Sequence, residues 1–390
     1  MKYFKLFENW VNQVGLDPVY DGVTKGGKIE LSDADKAKLL RLDKEYGKLY
    51  RDFYSKWRNN RCSNCNETEY KKFQAAIDRG EKYFPYIDLI DDDLTEAFLD
   101  QGRLLRKKFE NFNCYLSQFY IAKINFMTIQ ASVTIYKDNA EVRNRYNDMM
   151  VPQISEKVYL AAWEMVNKHP FVDVEDDQPH SAKDIAKQMQ DHIDKLGYDY
   201  QVVLDPDVIS RQKIDPHKAL LSINTDARFS DIDVTSLQLH EIEVHIARRQ
   251  WGAKTGLNLF LDGLVGRNTT DEGMAVEKTL HHNPEGVKPN LQFDVAIKAI
   301  IAYHIMEMDF CELYNWLIDK VRTKENKDVI GFVLFEDLLR VKRPLRNTKY
   351  LGGQARIESD YFRGYMLVRD MPKSQLEDLI HWNVGPTQIK

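Results

Sequence analysis

Apolar and polar residues alternate with helical spacing over most of the chain, which predicts a mainly helical protein. The segment 31–57 keeps this spacing for several turns, and Ser32 is placed to cap its first turn. The segment 94–136 is too long for a single helix without internal caps, so two helices are predicted there. Residues 152–169 predict another helix, with Pro152 expected at its start.

The pattern changes after an acidic link at residues 172–179. A helical segment follows and is expected to end at Gly197. Two short runs rich in β-branched and aliphatic residues, 200–205 and 219–225, predict strands. The whole pattern therefore predicts a mainly α fold with a small β-sheet, of the α+β class, in which the strand at 219–225 lies beside the helix that follows it.

Composition and charge exclude several classes of partner and site for this chain. The chain carries a formal net charge of -5, which argues against a nucleic-acid partner. No run of 18 apolar residues predicts a membrane segment, and the first ten residues lack the long apolar region of a signal peptide. We therefore expect no membrane partner and a cytoplasmic location. Cys62 and Cys65 form a C-x-x-C without a second pair, which favours a loop over a zinc or redox site.

The stretch "HEIEVH" at residues 240–245 suggests a metal site with unusual spacing. Ser230 and Asp233 resemble a capping box, so one helix is predicted from about Asp231 to Gly252. A five-residue step in a regular helix separates two side chains by about 140°. The histidines can share one ion only if a wide π-turn lies within residues 240–246. Without such a turn, the pair is ordinary core or surface histidine.

Two acidic residues extend this candidate site. Catalytic zinc usually has three protein ligands and a water. Glu272, in the segment "TTDEGMAVEK", is available as the third ligand if a second helix returns to the first. Glu241, next to His240, is placed as the carboxylate that would activate a zinc-bound water.

The segment from residue 219 to 278 resembles the DUF1704 family, which includes bacterial QEGLA-motif proteins and the microtubule-associated tyrosine carboxypeptidases. The family carries H-E-x-x-x-H and then Q-E-G-L-A, which is D-E-G-M-A at 271–275 here. The resemblance implies that His240, His245 and Glu272 bind Zn²⁺ and that Glu241 is the general base. It covers about residues 180–366. We therefore expect a zincin-like catalytic domain at 94–390, preceded by an N-terminal helical region at 1–93 of unclear role.

A third family segment lies near residues 340–366. Arg340 and Arg343 match the family pattern, whereas Pro344 replaces its glycine and Ile357 its lysine. An arginine fork can bind a free carboxylate through two parallel bonds, so Arg343, with Arg340 as the alternate, is the predicted substrate ligand. The alternative is a solvated basic loop. Tyr361 also matches, and it is the predicted oxyanion donor.

The predicted function is a zinc-dependent metallopeptidase of the carboxypeptidase type, acting on the C-terminus of a peptide or protein. Glu241 favours an enzyme, because a purely structural zinc site needs no base. The alternative is a non-catalytic zinc-binding regulatory protein that keeps the fold. A zinc hydrolase acting on a non-peptide amide is a lesser possibility. The sequence leaves the substrate and the oligomeric state open.

Overall fold

The fold was taken from a computed structural model of the chain. The residues that the structure describes are 32–58, 66–87, 94–114, 116–137, 139–173, 177–208, 210–282, 290–321 and 327–372. All statements below concern these residues. Cys62 and Cys65 lie outside them.

Helices dominate the described chain. In order, the first helices are α1 (Asp33–Arg58), α2 (Glu67–Asp78), α3 (Glu96–Glu110), α4 (Ser117–Ile135), α5 (Ala140–Met150), α6 (Glu156–Lys168) and α7 (Ala182–Leu196). After the strands come α8 (Asp231–Ser236), a π-helix (Leu237–Ile246), α9 (Ala247–Lys254), α10 (Asn258–Asp262), α11 (Arg267–His282), α12 (Leu291–His304), α13 (Phe310–Val321), α14 (Lys327–Lys342) and α15 (Ala355–Val368).

The strands form two small sheets. They are β1 (His180–Ser181), β2 (Gln201–Leu204), β3 (Gln212–Asp215), β4 (Leu220–Ile223) and β5 (Arg228–Phe229). Three of them form a sheet in the order β2-β4-β3, in which β2 runs parallel and β3 antiparallel to β4. The other two, β1 and β5, form an antiparallel pair. The α+β class and both predicted strands are confirmed, whereas β1, β3 and β5 were not predicted.

The described chain divides into two compact units, each built from separate stretches of sequence. The first unit holds the residues up to Asp173 and Gln292–Asp360. The second holds the residues from Asp177 to Leu291 and those from Tyr361 onward. The division differs from the predicted boundary at residue 93, which stays a prediction.

Aromatic packing fills the first unit. Phe109 of α3 stacks on Tyr120 of α4 with ring centroids 4.3 Å apart, and both side chains are buried. The hydroxyl of Tyr120 donates to the carboxylate of Asp43 on α1 at 2.7 Å, which pairs the buried polar atom. Helices α3 and α4 are the two helices that the long 94–136 segment predicts, so that prediction is confirmed.

A large apolar cluster packs α7, the three-stranded sheet and the π-helix of the second unit together. Ile185 and Met189 of α7 pack with Leu221 of β4 and with Ile242 and other residues of the π-helix. The predicted strand at 219–225 therefore lies beside the helix that carries the two histidines, as expected. Helix α7 begins with a capping box at Ser181 and ends at Gly197, whose φ of 69° is left-handed.

Two further outcomes concern helix starts and membrane segments. The prediction that Pro152 starts a helix is wrong, because α6 begins at Glu156, where the Ser155 side chain accepts from the Val158 amide. A serine cap satisfies a free amide that proline cannot. In the described parts of the chain, no helix is long and apolar enough to cross a membrane.

Candidate metal centre

Two histidines meet because the helix between them is a π-helix. The stretch Leu237–Ile246 is a π-helix between α8 and α9. In a π-helix, the residues that hydrogen-bond are five apart, so side chains five apart lie on one face. The rings of His240 and His245 lie accordingly with their centroids 5.0 Å apart. The predicted π-turn is confirmed and extends over the ten residues of this stretch.

Local sequence fixes where this helix begins. Ser230 and Asp233 form the predicted capping box, in which each side chain accepts from the other residue's backbone amide. Arg211 of the loop before β3 adds an ion pair to the buried Asp233 carboxylate at 2.7 Å. Apolar residues on the opposite side of the π-helix, Ile242 and Ile246 among them, are fully buried. The histidines therefore sit on a helix that is anchored at its start and along its buried face.

The third member of the group comes from helix α11. Glu272 lies in its second turn and is largely buried. A glycine contact brings α11 close to α15: a Cβ on Gly273 would lie 2.1 Å from the carbonyl carbon of Gly364, and one on Gly364 would lie 1.7 Å from the carbonyl oxygen of Thr269. Both positions therefore require glycine. Gly273 and Gly364 also lie in the two segments, 271–275 and 340–366, that resemble the family.

The three side chains form a compact group. The Nε2 atoms of His240 and His245 each lie 3.5 Å from Oε2 of Glu272. One ligand atom from each residue lies within 4.8 Å of the other two. The side chains retain exposures of 20%, 12% and 11%, which leaves a path to solvent on the histidine side. Such a His/His/Glu group could hold a metal ion.

The charges in the group reinforce one another. Burial alone would raise the pKa of Glu272, but the imidazoles of His245 and His240 lower it well below its ordinary value. Burial alone would lower the pKa of His240, but the Glu272 contact and the charges of Glu241 and Glu272 raise it. Glu272 is therefore a carboxylate at neutral pH, in the charge state that a metal ligand needs.

The donor set fits a zinc ion. Two donor atoms bound about 2.1 Å from one zinc ion at a tetrahedral angle lie about 3.4 Å apart. The two 3.5 Å separations agree with that geometry. Oε2 of Glu272 is buried and makes no hydrogen bond within the described residues. A buried carboxylate oxygen without a hydrogen bond is costly, and a cation between the three atoms would relieve this cost.

Two more predicted residues lie beside this group. Glu241 follows His240 on the π-helix, and its Oε1 accepts a hydrogen bond from Nε2 of Gln212 at 3.3 Å. Gln212 is the first residue of β3, and the sequence gives no signal for it because it lies 29 residues before Glu241. The ring of Tyr361, on α15, lies 6.5 Å from the ring of His240. The second unit thus brings together five of the seven predicted site residues.

The two predicted arginines belong to the first unit. Nη2 of Arg340 lies 3.3 Å from Oε2 of the buried Glu358, one turn into α15. Nε of Arg343 donates to the carbonyl of Arg340 at 3.5 Å. Their role as substrate ligands stays a prediction.

Ion pairs that sequence reasoning missed join α11, which carries Glu272, to the π-helix and to α9 directly after it. Oδ2 of Asp271 lies 2.6 Å from Nε of Arg248, and Oδ1 of Asp271 accepts from Nε of Arg267 at 3.1 Å. Glu243 of the π-helix lies 2.5 Å from Nζ of Lys278 on α11. Glu243 is the extra acid inside "HEIEVH", so its position was visible, but its partner was not.

One comparison with known proteins finds a match. The model of a family described as microtubule-associated tyrosine carboxypeptidase matches residues 102–328. This stretch is more than half of the chain and contains His240, Glu241, His245 and Glu272. It ends before Arg340, Arg343 and Tyr361. No curated protein matches the chain.

Proposed function

The chain belongs to the microtubule-associated tyrosine carboxypeptidase family, and on this premise we propose that it is a zinc-dependent metallopeptidase. It removes a C-terminal residue from a peptide or protein, on a zincin-like catalytic domain. The family name supports a carboxypeptidase type of activity and a protein C-terminus as the substrate. The identity of the cofactor as Zn²⁺ and the role of each residue described below are part of our proposal.

One observation carries this proposal: two imidazole nitrogens each lie 3.5 Å from the same buried carboxylate oxygen. Two histidines and one glutamate are a donor set found at catalytic zinc, where a fourth position stays open for water or substrate. The partial exposure of both histidines is consistent with an open position. A closed structural site would use four protein ligands.

The reaction needs a base, an oxyanion donor and a carboxylate ligand. When bound, zinc polarises the scissile carbonyl and makes water more acidic. The carboxylate of Glu241 accepts the proton of the attacking water and passes it to the leaving amine. Gln212, which donates to Oε1, restricts the rotation of that carboxylate. The hydroxyl of Tyr361 donates to the oxyanion, and Arg343, with Arg340 as the alternate, binds the terminal carboxylate.

The test separates metal binding from proton transfer. Glu241→Gln keeps the shape of the side chain and an oxygen that accepts from Gln212, but it cannot take a proton. We expect release of the C-terminal residue to fall by at least about a hundredfold, because general-base catalysis contributes that much or more. Zinc content, measured by elemental analysis of the purified protein, should stay at one ion per chain.

Two variants provide the controls. Glu243→Gln makes the same chemical change two residues along the π-helix and should retain most of the turnover. The double variant His240→Ala, His245→Ala should lose the zinc. If Glu241→Gln loses the zinc, Glu241 has a structural role instead. If the zinc-loaded wild type cleaves none of a set of peptides with varied C-termini, a non-catalytic zinc-binding regulatory protein becomes the better interpretation.

A further inference from the structure

Three charged residues with mostly buried side chains form a cluster between α9 and the start of helix α11. They are Arg248, Arg267 and Asp271, with side-chain exposures of 5%, 12% and 6%. The two guanidinium groups approach different oxygens of the single carboxylate. Burial lowers the pKa of Arg267 to about 10, so that Arg267 is still charged at neutral pH. Both guanidinium groups thus face the Asp271 carboxylate in a place with little access to water.

Two residues of this cluster lie close in sequence to candidate metal ligands. Asp271 directly precedes the candidate metal ligand Glu272, and Arg248 follows the candidate ligand His245 by three residues. Arg248 lies on α9, which continues the π-helix directly, so the Arg248–Asp271 pair joins the helical segment that follows both histidines to the helix that carries the glutamate. Arg267 lies one turn before Asp271 on the same helix and holds the other carboxylate oxygen. Both oxygens of Asp271 are thus oriented.

Two other contacts of α11 constrain it in different ways. The Gly273–Gly364 approach limits how close α11 comes to α15. The Glu243–Lys278 pair lies six residues beyond Glu272 and is about a fifth exposed on each side. A buried ion pair contributes little net stability, because desolvation offsets much of the attraction between the charges. It does oppose rotation and sliding of one helix against the other, because either motion separates charges that water cannot reach.

We propose that Asp271 and Arg248 are positioning residues for the metal ligand Glu272: their buried ion pair holds the carboxylate of Glu272 against the imidazoles of His240 and His245. This inference rests on the metal site of the proposed function. Asp271 does not touch the metal or the substrate; it acts through the residue that follows it. Partners that hydrogen-bond directly to metal ligands typically contribute 10- to 100-fold to metal affinity, and we expect an effect of the same order from Asp271, which acts through the backbone.

The experiment measures the affinity of the full chain for Zn²⁺, by competition with a chromogenic chelator. Asp271→Asn removes the charge and keeps the shape, and we expect about 10- to 100-fold weaker zinc binding. Arg248→Lys keeps the charge but replaces the flat guanidinium by a single ammonium on a flexible stem, so zinc binding should weaken as well. The Co²⁺ form of each variant should show an altered visible absorption spectrum, since this spectrum depends on coordination geometry.

Lys278→Met is the matched control. It removes the other ion pair between the same two helices, nearly two turns from Glu272, and should weaken zinc binding clearly less. Circular dichroism confirms that each variant is folded, and Arg248→Lys decides the question if Asp271→Asn does not fold.

The inference is wrong if the folded Arg248→Lys and Asp271→Asn variants bind zinc as the wild type does. It is also wrong if Lys278→Met weakens binding equally, because the effect would then belong to any contact between the helices. A wild type that binds no zinc overturns the inference together with the metal site. A wild type that binds zinc but cleaves no peptide overturns the proposed function alone.

Discussion

Lys342 illustrates how a single buried residue controls the response of the protein to pH. Its side chain is fully buried at the end of α14, and its Nζ donates to the carbonyl of Tyr350 at 2.7 Å. Burial lowers the pKa of Lys342 to about 7, while the charge of Asp309 acts in the opposite direction. In the unfolded chain the pKa returns to about 10.4. Between these two values the unfolded state binds more protons than the folded state.

The free energy of unfolding should therefore rise with pH through this residue. The cost of the buried ammonium is fully present below pH 7 and is relieved as pH rises toward 10. Lys342→Met removes the titrating group. We expect the wild type to gain about 2 kcal/mol relative to this variant between pH 7 and pH 9. Urea unfolding at both pH values measures the difference.

The half-exposed Lys320 provides the control for this prediction. Lys320→Met should change the free energy of unfolding by the same amount at both pH values, because an exposed side chain meets nearly the same surroundings in the folded and unfolded states. If the wild type and Lys342→Met also respond identically to pH, then the lysine is charged in the folded protein, contrary to the prediction.

At the level of elements, the contact between α11 and α15 determines where Glu272 lies. Gly273→Ala would bring a methyl group to 2.1 Å from the backbone of Gly364. A backbone atom cannot rotate away, so the helices must separate. We expect the free energy of unfolding to fall by several kcal/mol, as in the most severe cases of overpacking. We also expect weaker zinc binding, because Glu272 moves with α11. Chemical unfolding and zinc titration are the two measurements.

Gly102 supplies the matched comparison. It also lies within a helix, but the atom nearest to a Cβ there is the side-chain methyl of Thr128, at 2.5 Å, and not backbone. Gly102→Ala should reduce stability less and leave zinc binding unchanged. A Gly273→Ala variant with wild-type zinc affinity would show that α11 tolerates displacement without moving its carboxylate.

The elements also show what the sequence can predict. The π-helix follows from two histidines five apart, because only that distortion brings both to one ion. Capping signals at Ser181 and Ser230 are local, so they too can be read from neighbouring residues. The Gly273–Gly364 contact joins residues 91 positions apart. Its glycines are visible in the sequence, but their partnership is not.

For the whole molecule, the division into units is the property least accessible to sequence. The described residues up to Asp173 and those within Gln292–Asp360 belong to one compact unit. Such an arrangement depends on contacts between distant segments, and composition along the chain gives only soft boundaries. The same reason explains why the Arg248–Asp271 pair was missed while the ligands themselves were predicted. Ligands belong to short motifs, whereas their supporting ion pairs have no fixed spacing.

The proposed activity of the whole protein rests on recognition of a free C-terminus. The terminal carboxylate is the one charge that every C-terminal residue has and every internal residue lacks. Arg340 and Arg343 both match the family pattern, and Arg343 is the first choice as the substrate ligand in our proposal. A charge-assisted contact contributes about 1.5–3 kcal/mol. Arg343→Ala should therefore lower kcat/KM about ten- to a hundredfold on a peptide with a free C-terminus.

The same peptide with an amidated C-terminus tests whether this loss reflects carboxylate recognition. The wild type should cleave the amidated peptide poorly. Arg343→Ala should reduce the ratio of kcat/KM on the free peptide to kcat/KM on the amidated peptide, rather than lower both values equally. Arg145→Ala removes an exposed arginine of the same unit and should leave the ratio unchanged. Equal cleavage of both peptides by the wild type would mean that no residue reads the carboxylate. The protein would then be an endopeptidase, because nothing would confine its action to the chain end.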